Sequence, residues 1–218
     1  MRISILCTDD KHPVVKSLSQ WTELMKNKGH DVNIFFDKSE LVHGDILFLV
    51  SCAQVINNFD RKKFTHTLVL HASDLPSRRG WSPHIWAILD GENKITVSLL
   101  EAAEQVDTGK IWLKKSFMLE GHELLDEINE KLFNLELSLM TDAVMNENQI
   151  QPQDQMGDSG DYMRKRVAED SRIDPYNSIA NQFNLLRIVD AQRYPAFFEY
   201  LGVKYLIRIE KDTSGSIE

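Results

Sequence analysis

Two polar groups stand out because of what surrounds them. His71 follows the apolar run Thr67–Leu70 and opens the segment LHASDLPSRRGWSPHIWAIL (70–89), and Asp107 lies in QVDTGKI (105–111), a glycine-containing turn between two further apolar runs. An imidazole beside a carboxylate can hold and move a proton and can donate to an oxygen that is gaining charge. Acyl transfer through a tetrahedral intermediate needs those two services, a donor for the oxyanion and a group to manage protons. Both residues fall at the ends of strand-like runs, where open α/β sheets bind ligands. Taken alone each has an ordinary explanation: a histidine closing a strand is commonly packed or solvent-facing, and Asp-Thr-Gly suits a tight turn.

The elements that must position this pair can be read from periodicity. RISILC (2–7) is a short β-rich run, VVKSLSQWTELMKNKG has apolar residues at helical intervals before a stop at Gly29, and DVNIFFD and GDILFLVS read as strands. TLVLH supplies a buried strand ending on His71, and Pro83 marks the start of a helix through HIWAILDG. Strand, helix and strand in alternation predict a parallel sheet with right-handed crossovers. ITVSLLEAAEQ and GKIWLKKSFML flank the VDTG turn as strand-like segments, although LLEAAEQ could equally begin a helix. HELLDEINEKLFNLELSLMTDAVMN (122–146) is the clearest amphipathic helix. The polar, aperiodic ENQIQPQDQMGDSGD reads as a surface connection. Beyond it SIANQFNLLRIVD looks helical, PAFFEYLGVKYLIRI looks like two strands turning at Gly202, and DTSGSIE reads as a frayed end.

The spacing HxSxLPxxRGxxPxxWAIxxG…TxxxxExxxxxDTGxI resembles the folate-dependent formyltransferases. Its positions here are His71, Ser73, Leu75, Pro76, Arg79, Gly80, Pro83, Trp86, Ala87, Ile88, Gly91, Thr96, Glu101, Asp107, Thr108, Gly109 and Ile111. The likeness covers roughly residues 1–113. Together with the segment 164–209 it is similar to the short formyltransferases that act on nucleotide-linked amino sugars, including those of pseudaminic-acid pathways. The resemblance implies an α/β, Rossmann-like core with a mainly parallel sheet, plus a small C-terminal helix and β-hairpin extension. Residues 1–147 would then be the catalytic core, 148–161 the connection and 162–218 the extension.

The activity implied is transfer of a formyl group from N10-formyltetrahydrofolate to the amine of a UDP- or dTDP-linked amino sugar, for bacterial surface glycans. His71 and Asp107 map onto the family's catalytic pair, with Asp107 orienting the imidazole and stabilising its charged form. Folate is expected near Cys52 and Ala53, and along Glu101, Ala102, Val106 and Asp107. For the acceptor, Arg78, Arg79, Arg164 and Arg166 are candidates for phosphate contacts, and Gly80 and Trp81 for the rest of the pocket. Trp81, Tyr194, Phe197 and Phe198 could stack on a base or sugar, although a tryptophan or phenylalanine is more often core. Ser73, Pro76 and Gly80 have a simpler reading as loop-shaping residues.

Composition agrees. A chain 42% hydrophobic and 27% charged suits a globular protein with one sizeable core. A net charge of −8 argues against nucleic acid, whose binding draws on clustered lysine and arginine. Acidity and length likewise argue against methionyl-tRNA as acceptor, and the GWSPHIWAIL segment argues against glycinamide ribonucleotide. With no run of about eighteen apolar residues and no leader-like start, neither a membrane span nor a signal peptide is expected, and the location expected is cytoplasmic. Cys7 and Cys52 read as packed thiols rather than ligands, and no metal spacing is present. A homodimer is left open.

One departure matters. Many members of the resembled family carry an asparagine two residues before the histidine, where its amide polarises the formyl oxygen; here that residue is Val69. Losing one such donor costs on the order of 3 kcal/mol in barrier height. Either another group, with Ser51 and Ser73 as candidates, supplies the hydrogen bond, or the chain is a catalytically silent folate or nucleotide-sugar binder, or the acceptor is another small amine. If the site has been rebuilt, Val69→Asn inserts a poorly paired amide and lowers stability without raising turnover. A variant that stays folded and turns over at least about tenfold faster overturns that expectation.

Overall fold

A computed structural model describes residues 1–212, so all of the terminal DTSGSIE segment except Asp212 lies outside the described residues. The chain runs β1 (Arg2–Leu6), α1 (Val14–Asn27), β2 (Asp31–Phe35), β3 (Gly44–Leu49), α2 (Asn58–Arg61), β4 (Phe64–His71), α3 (Pro83–Leu89), β5 (Lys94–Glu101), β6 (Ile111–Met118), α4 (Leu125–Asn146), α5 (Phe183–Arg187), β7 (Ala196–Tyr200) and β8 (Val203–Ile207). Six strands form one sheet in the order β2-β1-β3-β4-β5-β6, and β7 and β8 form a separate hairpin.

The first four strands pair in parallel, as the strand–helix–strand alternation predicts, whereas β5 and β6 pair antiparallel. Residues 72–93, which hold α3, carry the chain past the end of β4, and β5 runs back beside it with His71 opposite Ser98. Ala102 then donates its amide to Thr67 O and leaves the ladder, so the run through Gln105 is neither strand nor helix.

Burial follows the helical spacing of α1, whose Val14, Leu18, Trp21 and Met25 face the sheet. The helix stops where Gly29, at φ +89°, lets the amides of Gly29 and His30 reach Lys26 O and Met25 O. α1 and α4 cover one face of the sheet, joined by a bond from Trp21 Nε1 to Thr141 Oγ1 at 2.9 Å. Leu68 and Leu70 of β4 point into that layer. Side chains alternate along a strand, so Val69 packs on the opposite side with Leu75, Leu100 and Ile111. His71, two residues further on, shares that side.

Three boundaries differ from the sequence reading. α4 begins at Leu125 rather than His122, because the Glu123 carboxylate accepts the amides of Glu120 and Gly121 and holds a turn there. The helix expected from Ser178 to Asp190 shrinks to a 3₁₀ turn (Ala180–Gln182) and α5. Its polar side chains compete for the backbone: Gln182 Oε1 accepts from Asp174 N and Ser178 Oγ from Asn181 N. The 147–161 connection also docks, since Gln153 exchanges both backbone hydrogen bonds with Ile111.

The C-terminal part is tied to the core by a buried ion pair. Arg187 and Glu123 are almost inaccessible, with Arg187 Nη1 3.8 Å from Glu123 Oε2 and Lys131 Nζ donating to Glu123 Oε1. Burial pushes the Glu123 carboxyl up, but Lys131 and the Glu120, Glu123 and Gly121 amides outweigh it and hold it at about 2. A carboxylate depressed from its ordinary value near 4.3 adds stability that is present above that pH and drains away as pH falls toward 2. Glu123→Gln is therefore expected to cost roughly 3 kcal/mol at pH 7 and to flatten the acid limb of stability in that window, measured by denaturant unfolding at pH 3 to 7.

Candidate functional site

His71 is the last residue of β4, paired with Ser98 of β5. Asp107 sits in the β5–β6 loop, which folds back so that its Oδ1 lies 3.5 Å from His71 Nδ1. Both side chains are buried. Nε2 of His71 is 3.0 Å from the carbonyl of Arg78. A carbonyl only accepts, so in this geometry Nε2 carries the proton, and Nδ1 gains one when the ring becomes imidazolium facing Asp107. The Nε2–H is a donor that a developing oxyanion could compete for.

Asp107 adopts φ +59°, a left-handed conformation that costs a non-glycine residue of order 1 kcal/mol and persists only where neighbours enforce it. Its Oδ2 accepts from the amide of Gly80 at 2.9 Å, and Gln155 Nε2 donates to both Asp107 O and Gly109 O at 2.9 Å. Two glycines make this closeness possible. A Cβ on Gly80, at φ +106°, would lie 2.4 Å from Met163 O, and one on Gly109 would lie 1.8 Å from Glu101 O.

The loop from Ala72 to Ser82 is pinned along its length. Ser73 is buried and its Oγ donates to Ser77 O at 2.7 Å, while its carbonyl accepts from Ser98 Oγ at 2.7 Å. Its hydroxyl therefore shapes the loop in this state. Ser51 is exposed at φ +48° and its carbonyl accepts from Thr8 Oγ1. Val69 is half-buried among apolar side chains.

Cys52 and Ala102 pack on the same apolar cluster as Val69, with Leu49 and Ile56 beneath, so these folate-side positions converge on one surface beside His71. That surface suits a flat, largely apolar ring. Val106 is 54% exposed and Ala53 is exposed, while Glu101 Oε1 accepts from Trp112 Nε1. Burial raises both thiols, Cys7 to about 11, which suits packing rather than nucleophilic chemistry.

The acceptor-side arginines already have partners. Arg78 meets Asp90 and Glu92, Arg79 Nη2 donates to Gln155 Oε1, Arg164 meets Asp170 and lies 5.0 Å over Trp86, and Arg166 donates to Asp170 O. Trp81 is 39% exposed with Lys165 over its ring at 5.0 Å. Tyr194 is partly exposed and Phe198 stacks on Tyr205. Phe197 takes the core alternative: it is 3% exposed, out of reach of a base or sugar.

Two groups were missed. Gln155 gave no signal within an aperiodic polar stretch. His84, in PHIW, has a solvent-excluded Nδ1 with no partner, and burial, then His71 and His12, hold its imidazole down at about 4, so it stays neutral.

The Rossmann-like sheet thus carries a buried histidine–aspartate pair at the end of β4 and in the β5–β6 loop. The profile of the formyl transferase family matches residues 7–144, and the chain belongs to that family. Methionyl-tRNA formyltransferase of Rickettsia felis is 30% identical over 139 residues, 63% of this chain and 46% of that protein. The chain thus spans about half the length of the curated relatives it matches. Among solved structures, methionyl-tRNA formyltransferase from Clostridium thermocellum superposes with a TM-score of 0.81 at 22% identity, covering 99% of this chain and 95% of that one. HypX from Aquifex aeolicus in complex with tetrahydrofolic acid gives 0.78 at 23% identity, covering 96% and 37%. A sugar N-formyltransferase from a Shewanella species gives 0.72 at 15% identity, covering 96% and 97%. At these identities the structural likeness speaks to the fold.

Because Gly109 meets Glu101 O with no room for a methyl group, Gly109→Ala must push the Asp107 turn away from β5. The expected result is a loss of at least about 2 kcal/mol and a melting temperature lower by roughly 5 °C or more. An unchanged melting curve would show that the contact is dispensable.

Proposed function

We propose that this protein moves a formyl group from N10-formyltetrahydrofolate to the primary amine of a nucleotide-linked amino sugar. The observation that carries the chemistry is the buried His71–Asp107 contact in a chain of the formyl transferase family. The amine nitrogen attacks the formyl carbon, a C–N bond forms, and the carbonyl electrons move to oxygen. His71 Nε2–H, released from the Arg78 carbonyl, donates to that oxygen, and Asp107 faces the ring as it shares that charge. The attacking nitrogen gives up one proton, collapse re-forms the carbonyl and breaks the bond to N10 of the folate, and N10 leaves with that proton. Atoms and charge balance without a metal or a redox step.

On the donor side, Cys52, Ala102 and Val106, with Ala53, Glu101 and the turn at Asp107, would hold the folate. On the acceptor side, Arg78, Arg79, Arg164 and Arg166 with Gly80 and Trp81 would meet the nucleotide sugar, the arginines exchanging carboxylate partners for phosphate. The net charge of −8 supports this acceptor over a polyanionic one. A second reading, methionyl-tRNA as acceptor, is supported by the relatives at 30% identity. Incubating the protein with 10-formyltetrahydrofolate and, in parallel, UDP- and dTDP-amino sugars or methionyl-tRNA separates the two readings, because only a true acceptor gains the mass of one CO.

In that assay His71→Asn and Asp107→Asn are each expected to remove most turnover while leaving the fold intact, and the double variant should be little worse than either single one. Near-wild-type rates in either single variant would remove the pair from the chemistry.

A further inference from the structure

We infer that Gln155 is a positioning residue for the formyl-transfer site, holding Asp107 against His71 from a segment outside the family-matched region; this rests on the catalytic reading of the pair given above. The family match ends at residue 144, and Gln155 lies beyond it in a stretch whose composition signals only a connection. Its amide nevertheless makes three hydrogen bonds to the machinery. Nε2 donates to Asp107 O and Gly109 O, both at 2.9 Å, and Oε1 accepts from Arg79 Nη2 at 2.8 Å.

The two carbonyls that Gln155 binds bracket the left-handed turn that carries the carboxylate. A non-glycine residue at φ +59° relaxes unless its peptide groups are held. From inside, the Asp107 side chain is held by Gly80 N and His71, and Thr108 Oγ1 donates to Gln105 O at 2.8 Å. From outside the turn, Gln155 holds the carbonyls of Asp107 itself and of Gly109.

Arg79 extends the brace. Its side chain orients the Gln155 amide, so that the oxygen faces the guanidinium and both N–H groups face the turn. Its carbonyl accepts from Met163 N at 2.7 Å, and Trp81 N donates to Met163 O at 2.9 Å. Residues 153–163 thus grip the Asp107 turn at one end, through Gln153 on Ile111 and Gln155 on Asp107, and the Arg79–Trp81 loop at the other. In this state Arg79 is committed to the brace. If it also meets acceptor phosphate, binding and the placement of Asp107 are linked through one side chain.

The test uses the full chain labelled with ¹⁵N-histidine, with His71 ring signals assigned by their loss in His71→Asn. Gln155→Met keeps the side-chain length and removes all three hydrogen bonds, and Gln155→Ala serves if that variant does not fold. The expected result is that the Gln155 variant moves the His71 ring nitrogen signals in the same direction as Asp107→Asn. With the acceptor found in the formylation assay it should lower kcat about 10- to 100-fold while KM for folate changes less than about threefold, as a displacement near 1 Å would produce. In an Asp107→Asn background the same substitution should add nothing to the loss of kcat, whereas a merely structural role multiplies the losses.

His71 signals at their wild-type positions in a folded Gln155 variant, beside displaced signals in Asp107→Asn, would overturn this inference and leave the pair intact. Wild-type signals in Asp107→Asn itself would instead remove the pair, and the role of Gln155 with it. The two failures are told apart by the Asp107 variant alone.

Discussion

The constraint on which the rest of the structure depends is the placement of one carboxylate. Asp107 has to lie buried and 3.5 Å from the imidazole of His71 while its backbone holds a left-handed conformation. A buried carboxylate without donors costs several kcal/mol, so amides must be aimed at it, and a strained turn must be gripped from outside. Each requirement recruits a different part of the chain. The donor amide comes from Gly80, which lacks a side chain because Met163 passes where a Cβ would stand. The grip comes from Gln155, and the packing of Gly109 on Glu101 seats the turn on β5. Strand β4 fixes only the histidine; the aspartate is placed by two segments remote in sequence, at Gly80 and Gln155, and by the adjoining end of β5.

The surrounding electrostatics keep that pair distinct. Glu136 of α4 is buried with no ion-pair partner among the described residues, and desolvation pushes its carboxyl up to about 8. His84 is held neutral at about 4 by burial and its neighbouring histidines. Neither group therefore carries a full charge near neutral pH. The buried Glu123 carboxylate, beside Arg187, accepts from Lys131 and the amides of Glu120 and Gly121, and the pair binds the C-terminal segment to the core.

Local periodicity made most of the core legible. Val14, Leu18, Trp21 and Met25 mark α1 at helical spacing, and Phe64–His71 marks a buried strand ending on the histidine. The hairpin turning at Gly202 is likewise where the aromatic-rich runs put it. What sequence could not supply is set by tertiary geometry. The antiparallel direction of β5 leaves no mark in its own residues. The collapse of the helix expected before Asp190 depends on the Gln182 and Ser178 side chains accepting from the Asp174 and Asn181 amides. Phe197 takes the core place usual for a phenylalanine, whereas Arg187 is a cation that proves to be buried. Motif spacing singled out His71 and Asp107, but nothing in an aperiodic polar stretch marks a glutamine whose value lies in three contacts with residues 46 to 76 positions away.

The same geometry ties acceptor recognition to chemistry under the proposed reading. The loop from Arg78 to Trp81 offers its Arg78 carbonyl to His71 and its Gly80 amide to Asp107, and it receives the 162–166 segment through Met163, with Lys165 over Trp81. An anion arriving here meets arginines already bonded to Asp90, Glu92 and Asp170, so it binds by exchange rather than by filling an empty cradle. Drawing Arg78 from its carboxylates would pull on the residue whose carbonyl occupies the Nε2–H of His71. An acceptor with phosphates at the right distance from its amine could thereby free the oxyanion donor as it docks. A bare amine lacking those phosphates would leave Nε2 bonded to the loop. Selectivity would then arise from the loop that links the two sites, with Val69 removing the fixed amide that would otherwise polarise the formyl oxygen regardless of what had bound.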